Sequence, residues 1–114
     1  MARDEAYRKA EEKIEEARRT GATELGLSGM KLSEVPESIG QLGLLQTLDL
    51  SDNNPLRLPA ELNRLTALQR LLLCRCGQTE IHRTIRYFRG LVELDLRQNQ
   101  IETLPLFIGE LSEL

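Results

Sequence analysis

The apolar positions of the chain recur every 23 residues. A Leu-x-Leu pattern or a near match begins at Leu25, Leu48, Leu71 and Leu94, each 23 residues after the one before. Four further columns keep the same period: Val35, Leu58, Ile81 and Leu104; Ile39, Leu62, Ile85 and Ile108; Leu42, Leu65, Phe88 and Leu111; Leu45, Leu68, Leu91 and Leu114. Self-similarity at one fixed spacing is the mark of stacked supersecondary units. Each Leu-x-Leu predicts a short strand whose alternation sends the leucines to one face and the residues between them to the other. Neighbouring repeats then pair these strands side by side in a parallel sheet. After each strand, the position held by Asn53 and Asn99 predicts an inward turn, where a buried amide can bond the main-chain groups freed there. Pro36, Pro59 and Pro105 follow, and predict the first turn of a short helix, where a missing N–H costs nothing. The Ile39, Leu42 and Leu45 spacing buries one face of that helix.

The first twenty residues follow a different rule. Tyr7, Ala10, Ile14 and Ala17 make one apolar stripe at helical spacing. Arg3, Asp4 and Glu5 open the helix, Arg18 and Arg19 sit where cations complement its dipole, and Gly21 is placed to cap its end. Two readings of the stripe stand side by side. It covers the open edge of the first repeat, or it pairs with a second copy as a coiled coil. Its shortness and its alanines disfavour the second. The expected organisation is therefore a capping helix over residues 1–21 and four repeats over residues 22–114.

Within this frame the residues carry a resemblance. Leu91 to Pro105 reads Leu-Val-Glu-Leu-Asp-Leu-Arg-Gln-Asn-Gln-Ile-Glu-Thr-Leu-Pro, which resembles the leucine-rich repeat at every position of its pattern. Leu45 to Pro59 fits with one slip at Pro55. The first repeat has Met30 in the Asn position, and the third has Cys76 there, Gln78 for an aliphatic and His82 for Pro. The Leu-Pro ending and the repeat length are similar to the bacterial subclass, and to the repeat regions of Roco-type GTPase proteins. The resemblance implies an α/β solenoid with parallel strands on a concave face and short helices on a convex one. It implies a non-enzymatic protein–protein interaction module with no cofactor, binding through the concave face. The alternative is a regulatory repeat region detached from a larger signalling enzyme such as a Roco-like GTPase.

Composition narrows this little further. The chain has 114 residues, 40% hydrophobic and 29% charged, with a net charge of -3, the balance of one small folding domain. No apolar run approaches the ~20 residues that span a bilayer. The charged N-terminus is unlike a secretory signal, and a cytoplasmic location is expected. Cys74, Cys76 and His82 give at most three metal ligands where a structural zinc site needs about four. No phosphate-binding glycine loop is present, and no spacing singles out a catalytic triad.

Surface chemistry remains. The outward strand positions form columns, and from them the candidate partner-binding residues are Glu24, Thr47, Asp49, Ser51, Asp52, Arg70, Leu72, Arg75, Glu93, Asp95 and Arg97. Four strands at ~4.8 Å spacing and ~13 Å length give a face of about 250 Å². A standard interface buries ~800 Å² per partner, so a concave-face complex should be weak or should also use the flanks. A second candidate patch gathers Arg70, Arg75, Arg83, Arg86 and Arg89 against Glu80 alone. It reads first as a solvated convex face, since nothing aromatic interleaves beyond Tyr87 and Phe88 and Phe88 belongs to a core column, with a nucleic acid or an anionic membrane as the weaker alternative. Three departures in one repeat predict that the third is the least stable. A fourth repeat ending at Leu114 without a polar cap predicts an adhesive edge and self-association through it.

Overall fold

The computed structural model describes residues 4–114. Helix α1 spans Glu5–Thr20. Asp4 caps its start, accepting a hydrogen bond from the Tyr7 N–H at 3.0 Å. Gly21, at φ 65°, ends it in the left-handed conformation that glycine adopts without steric cost. Arg3, expected at the helix opening, lies outside the described residues. Tyr7, Ala10, Ile14 and Ala17 are buried, because α1 packs on the strand and the helical turn of the first repeat. The stripe is thus occupied within the chain, and the coiled-coil reading fails.

Four strands follow: β1 Glu24–Gly26, β2 Thr47–Asp49, β3 Arg70–Leu72 and β4 Glu93–Asp95. They form one parallel sheet in chain order. Its register is one repeat per strand, so that Leu25, Leu48, Leu71 and Leu94 lie in line. The opposite wall consists of 3-10 helices at Glu37–Gln41, Ala60–Arg64, Arg83–Tyr87 and Leu106–Glu110. Five residues are too few for an α-helical ladder, and the tighter turn suits so short a segment. Pro36, Pro59 and Pro105 stand as caps just before these segments, one place earlier than expected.

The core is the inward face of this stack. Leu45, Leu48, Leu50, Leu68, Leu71 and Leu73 are sealed in the middle. Toward the C-terminal end burial fades: Leu94 and Leu96 are half-buried. Leu104, expected in a core column, is 69% exposed at the outer edge of the fourth repeat.

Asn53, which is buried, and Asn99, which is half-buried, each serve the repeat before their own. Asn53 Oδ1 accepts from the N–H groups of Met30 at 3.1 Å and Leu32 at 2.9 Å, and its Nδ2 donates to the carbonyls of Leu27 and Leu50. Met30 therefore needs no polar side chain, because its neighbour supplies one. Asn99 repeats the pattern on the Cys76 and Gln78 N–H groups and the Leu73 and Leu96 carbonyls.

The departures of the second and third repeats fit one another. Pro55 is exposed, and Leu56 takes the buried place expected of an aliphatic at 55. Across the seam, Gln78 is buried in the corresponding position and donates from Nε2 to the Leu56 carbonyl at 2.8 Å and the Cys76 carbonyl at 3.2 Å. Gly77, at φ 70°, lies under Asn54 so closely that a Cβ there would collide with Asn54 Oδ1. Cys76 Sγ donates to the Leu50 carbonyl at 3.0 Å. His82, standing where its counterparts are proline, accepts from the Thr84 N–H through Nδ1. Each of the three departures of the third repeat therefore has its polar group met, which the sequence pattern alone does not reveal.

Candidate interaction surface

The outward side chains of the sheet fall into the expected columns. Glu24, Thr47, Arg70 and Glu93 are register partners, as are Gly26, Asp49, Leu72 and Asp95. Just past the strands come Ser28, Ser51, Cys74 and Arg97, and then Gly29, Asp52, Arg75 and Gln98. The last column turns through left-handed backbone in every repeat, with φ of 66°, 62°, 53° and 60° in order. Only Gly29 takes that conformation without steric cost.

The charges on this face are largely paired. Arg70 lies 3.4 Å from Glu93. Arg75 bridges repeats, donating to the Asp52 carboxylate on one side and to Gln98 Oε1 on the other. Arg97 folds back on Asp95 with two side-chain hydrogen bonds of 3.0 and 2.8 Å. Hydrogen bonds from Arg75 hold the Asp52 carboxyl below the usual carboxylate range, and those from Arg97 do the same for Asp95. Such exposed pairs add little stability. They do fix where each charge is presented. Gln98, which completes the Arg75 bridge, is absent from the sequence-derived set, since an amide in a charged column gives no sign that it joins a pair 23 residues away.

Two carboxylates of the face have no cation. Among the described residues, Glu24 and Asp49 form no ion pair, and Asp49 Oδ1 accepts only the Ser51 N–H. Leu72 sits between Asp49 and Asp95 and is half-buried. Ser51 turns inward along the sheet, its Oγ accepting from the Cys74 N–H at 3.1 Å. Cys74 is half-buried and Cys76 is sealed in the turn, where burial pushes its thiol pKa up and keeps it protonated.

The arginine patch expected in the third repeat is divided. Arg70 and Arg75 belong to the sheet face and are paired there. Arg83, Arg86 and Arg89 are exposed on the opposite, convex side. Arg86 stacks on the Phe107 ring, 5.9 Å from its centroid. Beside them stands Leu106, 99% exposed. The sequence reading passed over it, although its repeat position is held elsewhere by Glu37, Ala60 and Arg83, an outward column throughout.

Comparison with known proteins agrees with this architecture. The family profile described as leucine-rich repeat region matches residues 24–114. The human volume-regulated anion channel subunit LRRC8E is 35% identical over 89 residues, 75% of this chain and 11% of that protein. The solved structure of a leucine-rich repeat protein from Leptospira interrogans superposes with a TM-score of 0.60 at 31% identity. That match covers 88% of this chain and 32% of the Leptospira chain. The chain thus spans about a tenth and about a third of these relatives. Leucine-rich repeats serve in general as protein-interaction modules, and this chain, matched by the family profile over four-fifths of its length, belongs to the leucine-rich repeat proteins.

Proposed function

We propose that the chain is a non-enzymatic, cytoplasmic module that holds a partner protein against the concave sheet. The observation that carries this reading is Leu72, an apolar side chain at the middle of an outward column that otherwise holds only Gly26, Asp49 and Asp95. The core does not need an aliphatic there, whereas a partner's apolar side chain does. Around it, Arg70, Arg75 and Arg97 hold Glu93, Asp52 and Asp95 in fixed places. Thr47 and Ser51 complete the floor, and Glu24 and Asp49 remain free to meet a cation. Five carboxylates against three arginines favour a partner that is basic where it touches β1 and β2. The face is small, so the complex recruits the flanks or stays weak. The test is to isolate a partner by affinity capture with the intact chain and measure its affinity by calorimetry. Replacing Asp49, Arg70, Leu72 and Asp95 together by Ala should weaken it at least tenfold, roughly the loss of one hot spot. A nanomolar complex unchanged by the four substitutions removes the concave face from the reading.

A second reading is supported by the lengths of the relatives. This unit matches a small part of each, which fits a repeat region working inside a larger protein, as a regulatory element of a signalling enzyme would. The last repeat supports a third element of the proposal, self-association. Leu104 and Leu114 are 69% and 47% exposed, and Leu94, Leu96, Ile101 and Ile108 are half-buried at the same edge. Light scattering over a concentration series should show dimers, and a polar capping repeat added after Leu114 should abolish them. A monomer at high micromolar concentration excludes this contact.

A further inference from the structure

The convex side of the third and fourth repeats holds cationic side chains that no carboxylate among the described residues pairs with. Arg83, Arg86 and Arg89 are exposed, and among the described residues none has an ion pair. The arginines of the sheet face and of the end of α1 are all paired by contrast. Arg64 occupies in the second repeat the place that Tyr87 holds in the third, and it too is exposed and, among the described residues, has no ion pair. Glu61, Glu80 and Glu110 are the carboxylates of the same turns, and none approaches these arginines closely enough to pair with them.

Two apolar side chains stand among these cations. Tyr87 is 50% exposed and Leu106 is 99% exposed. Leu104 lies at the edge of the fourth repeat; the exposure of Leu106 differs in kind. Its column faces outward in all four repeats, so a further repeat stacked on the fourth would leave it bare. Directly before it in that column is Arg83, and directly after it in the chain is Phe107, whose ring carries Arg86.

We propose that this face docks on an anionic lipid bilayer. Arg83, Arg86 and Arg89 meet headgroup phosphates and carboxylates, which the guanidinium fork matches in pairs of hydrogen bonds. Leu106 enters between the headgroups, and Tyr87 lies at the boundary, its ring toward the acyl chains and its hydroxyl toward water. A nucleic acid would engage the arginines but would leave a fully exposed leucine without a role. The bilayer uses both, and neither side chain belongs to the sheet face, so the proposal stands apart from the concave-face reading.

The test uses the whole chain and sedimented vesicles. One set is phosphatidylcholine alone, and the other carries about 30% phosphatidylserine, both at about 50 mM salt, where surface charge is weakly screened. The chain should sediment with the second set only, and about 0.5 M salt should release it. Arg83→Ser with Arg86→Ser should lower the partition roughly 25-fold, at about fivefold per arginine. Leu106→Ser should lower it about threefold or more, since it removes the inserted group. The chain has no tryptophan, so Leu106→Trp gives a single reporter whose emission should shift to the blue on phosphatidylserine vesicles alone. All these sites are exposed, and unchanged circular dichroism separates loss of binding from loss of fold. Equal sedimentation with both vesicle types, no sedimentation, or indifference to the arginine substitutions overturns the proposal. So does binding to heparin that matches the vesicles and ignores Leu106→Ser, because that result marks a plain polyanion site.

Discussion

Replacing Cys76 by Asn restores the repeat pattern, yet it should not stabilise the chain by itself. In the two regular seams the asparagine oxygen accepts two N–H groups from the preceding repeat. For Asn53 these are Met30 and Leu32, and for Asn99 they are Cys76 and Gln78. Counted back by the same offsets, an asparagine at 76 would face the N–H groups of residues 53 and 55. Residue 55 is proline and has none. Half of the oxygen's bonding capacity would be buried without a donor, which costs about 1–3 kcal/mol. The amide's added bonds return about 1 kcal/mol each, and the thiol already donates to the Leu50 carbonyl.

Cys76→Asn alone should therefore change stability by less than about 1 kcal/mol in either direction. Pro55→Ala restores the missing donor. Made together, the two substitutions should show a favourable coupling of about 1–2 kcal/mol beyond the sum of the singles. Urea unfolding followed by circular dichroism reads all four corners of the cycle, with a constant m-value as the check that the transition stays two-state. Stabilisation of 2 kcal/mol or more by Cys76→Asn alone, or coupling within about 0.3 kcal/mol of zero, would refute the view that Pro55 and Cys76 are matched.

Other expectations follow from the same hydrogen-bond pattern. Asn53→Ala strips partners from buried groups on two repeats and should cost about 3 kcal/mol or more, while Asn99→Ala, at the half-exposed end, should cost less; urea midpoints decide the order. Gln78→Leu restores an aliphatic but removes the donor to the Leu56 and Cys76 carbonyls, so it should destabilise by about 1 kcal/mol or more, and a gain in thermal midpoint would count against the seam. Lys31 stands at φ 61° with an exposed side chain, so Lys31→Gly should stabilise by about 0.5–1 kcal/mol in the same assay. Burial, helped by the Arg83 charge, holds the His82 pKa below its ordinary value. A lowered pKa means that the folded chain resists the proton. The contribution is complete above about pH 6.5 and is lost as pH falls through the folded value. His82→Pro should flatten that part of the stability profile, and an unchanged slope there would assign it to another group.

The frame of the fold was legible because it rests on local rules that repeat. Period and alternation place Leu48, Leu71 and Leu94 in one register, and the α1 stripe, its acid cap and Gly21 each announce themselves within one turn of chain. What stayed hidden is pairwise between repeats. Pro55 reads as a fault in the second repeat and Cys76 and Gln78 as faults in the third, until the seam shows that the Gln78 amide serves the Leu56 carbonyl beside Pro55 and that the Cys76 thiol reaches the Leu50 carbonyl an asparagine amide would reach. The arginines failed for the opposite reason. Arg70, Arg75 and Arg83 are near in sequence, but a solenoid turns each repeat through two faces, so residues 8 to 13 positions apart end on opposite walls. Leu106 was passed over because a leucine in a leucine-rich pattern draws no notice unless its column is asked what it holds elsewhere.

The distribution of paired and unpaired charge gives the molecule its two faces. A cation whose place is fixed is held by an acid one repeat away, as Arg75 is by Asp52, just past the ends of their strands. A cation left without an acid costs nothing in water and gains only when something anionic arrives. On the sheet the unmatched groups are acids, Glu24 and Asp49. On the convex turn of the third repeat they are the arginines Arg83, Arg86 and Arg89, with Leu106 beside them, while, among the described residues, Glu61 and Glu110 stand unpaired on the turns to either side. A single solvated surface with net charge -3 needs no such separation, since evenly mixed signs would keep it as soluble. An acidic part of the sheet and an arginine cluster on the third repeat's convex turn instead let one ligand be held without excluding the other. The consequence is that substitutions on either wall should leave binding at the other unchanged within about twofold, the additivity expected of distant sites. Strong coupling between Asp49→Asn and the vesicle partition would show that the faces act on one ligand rather than two.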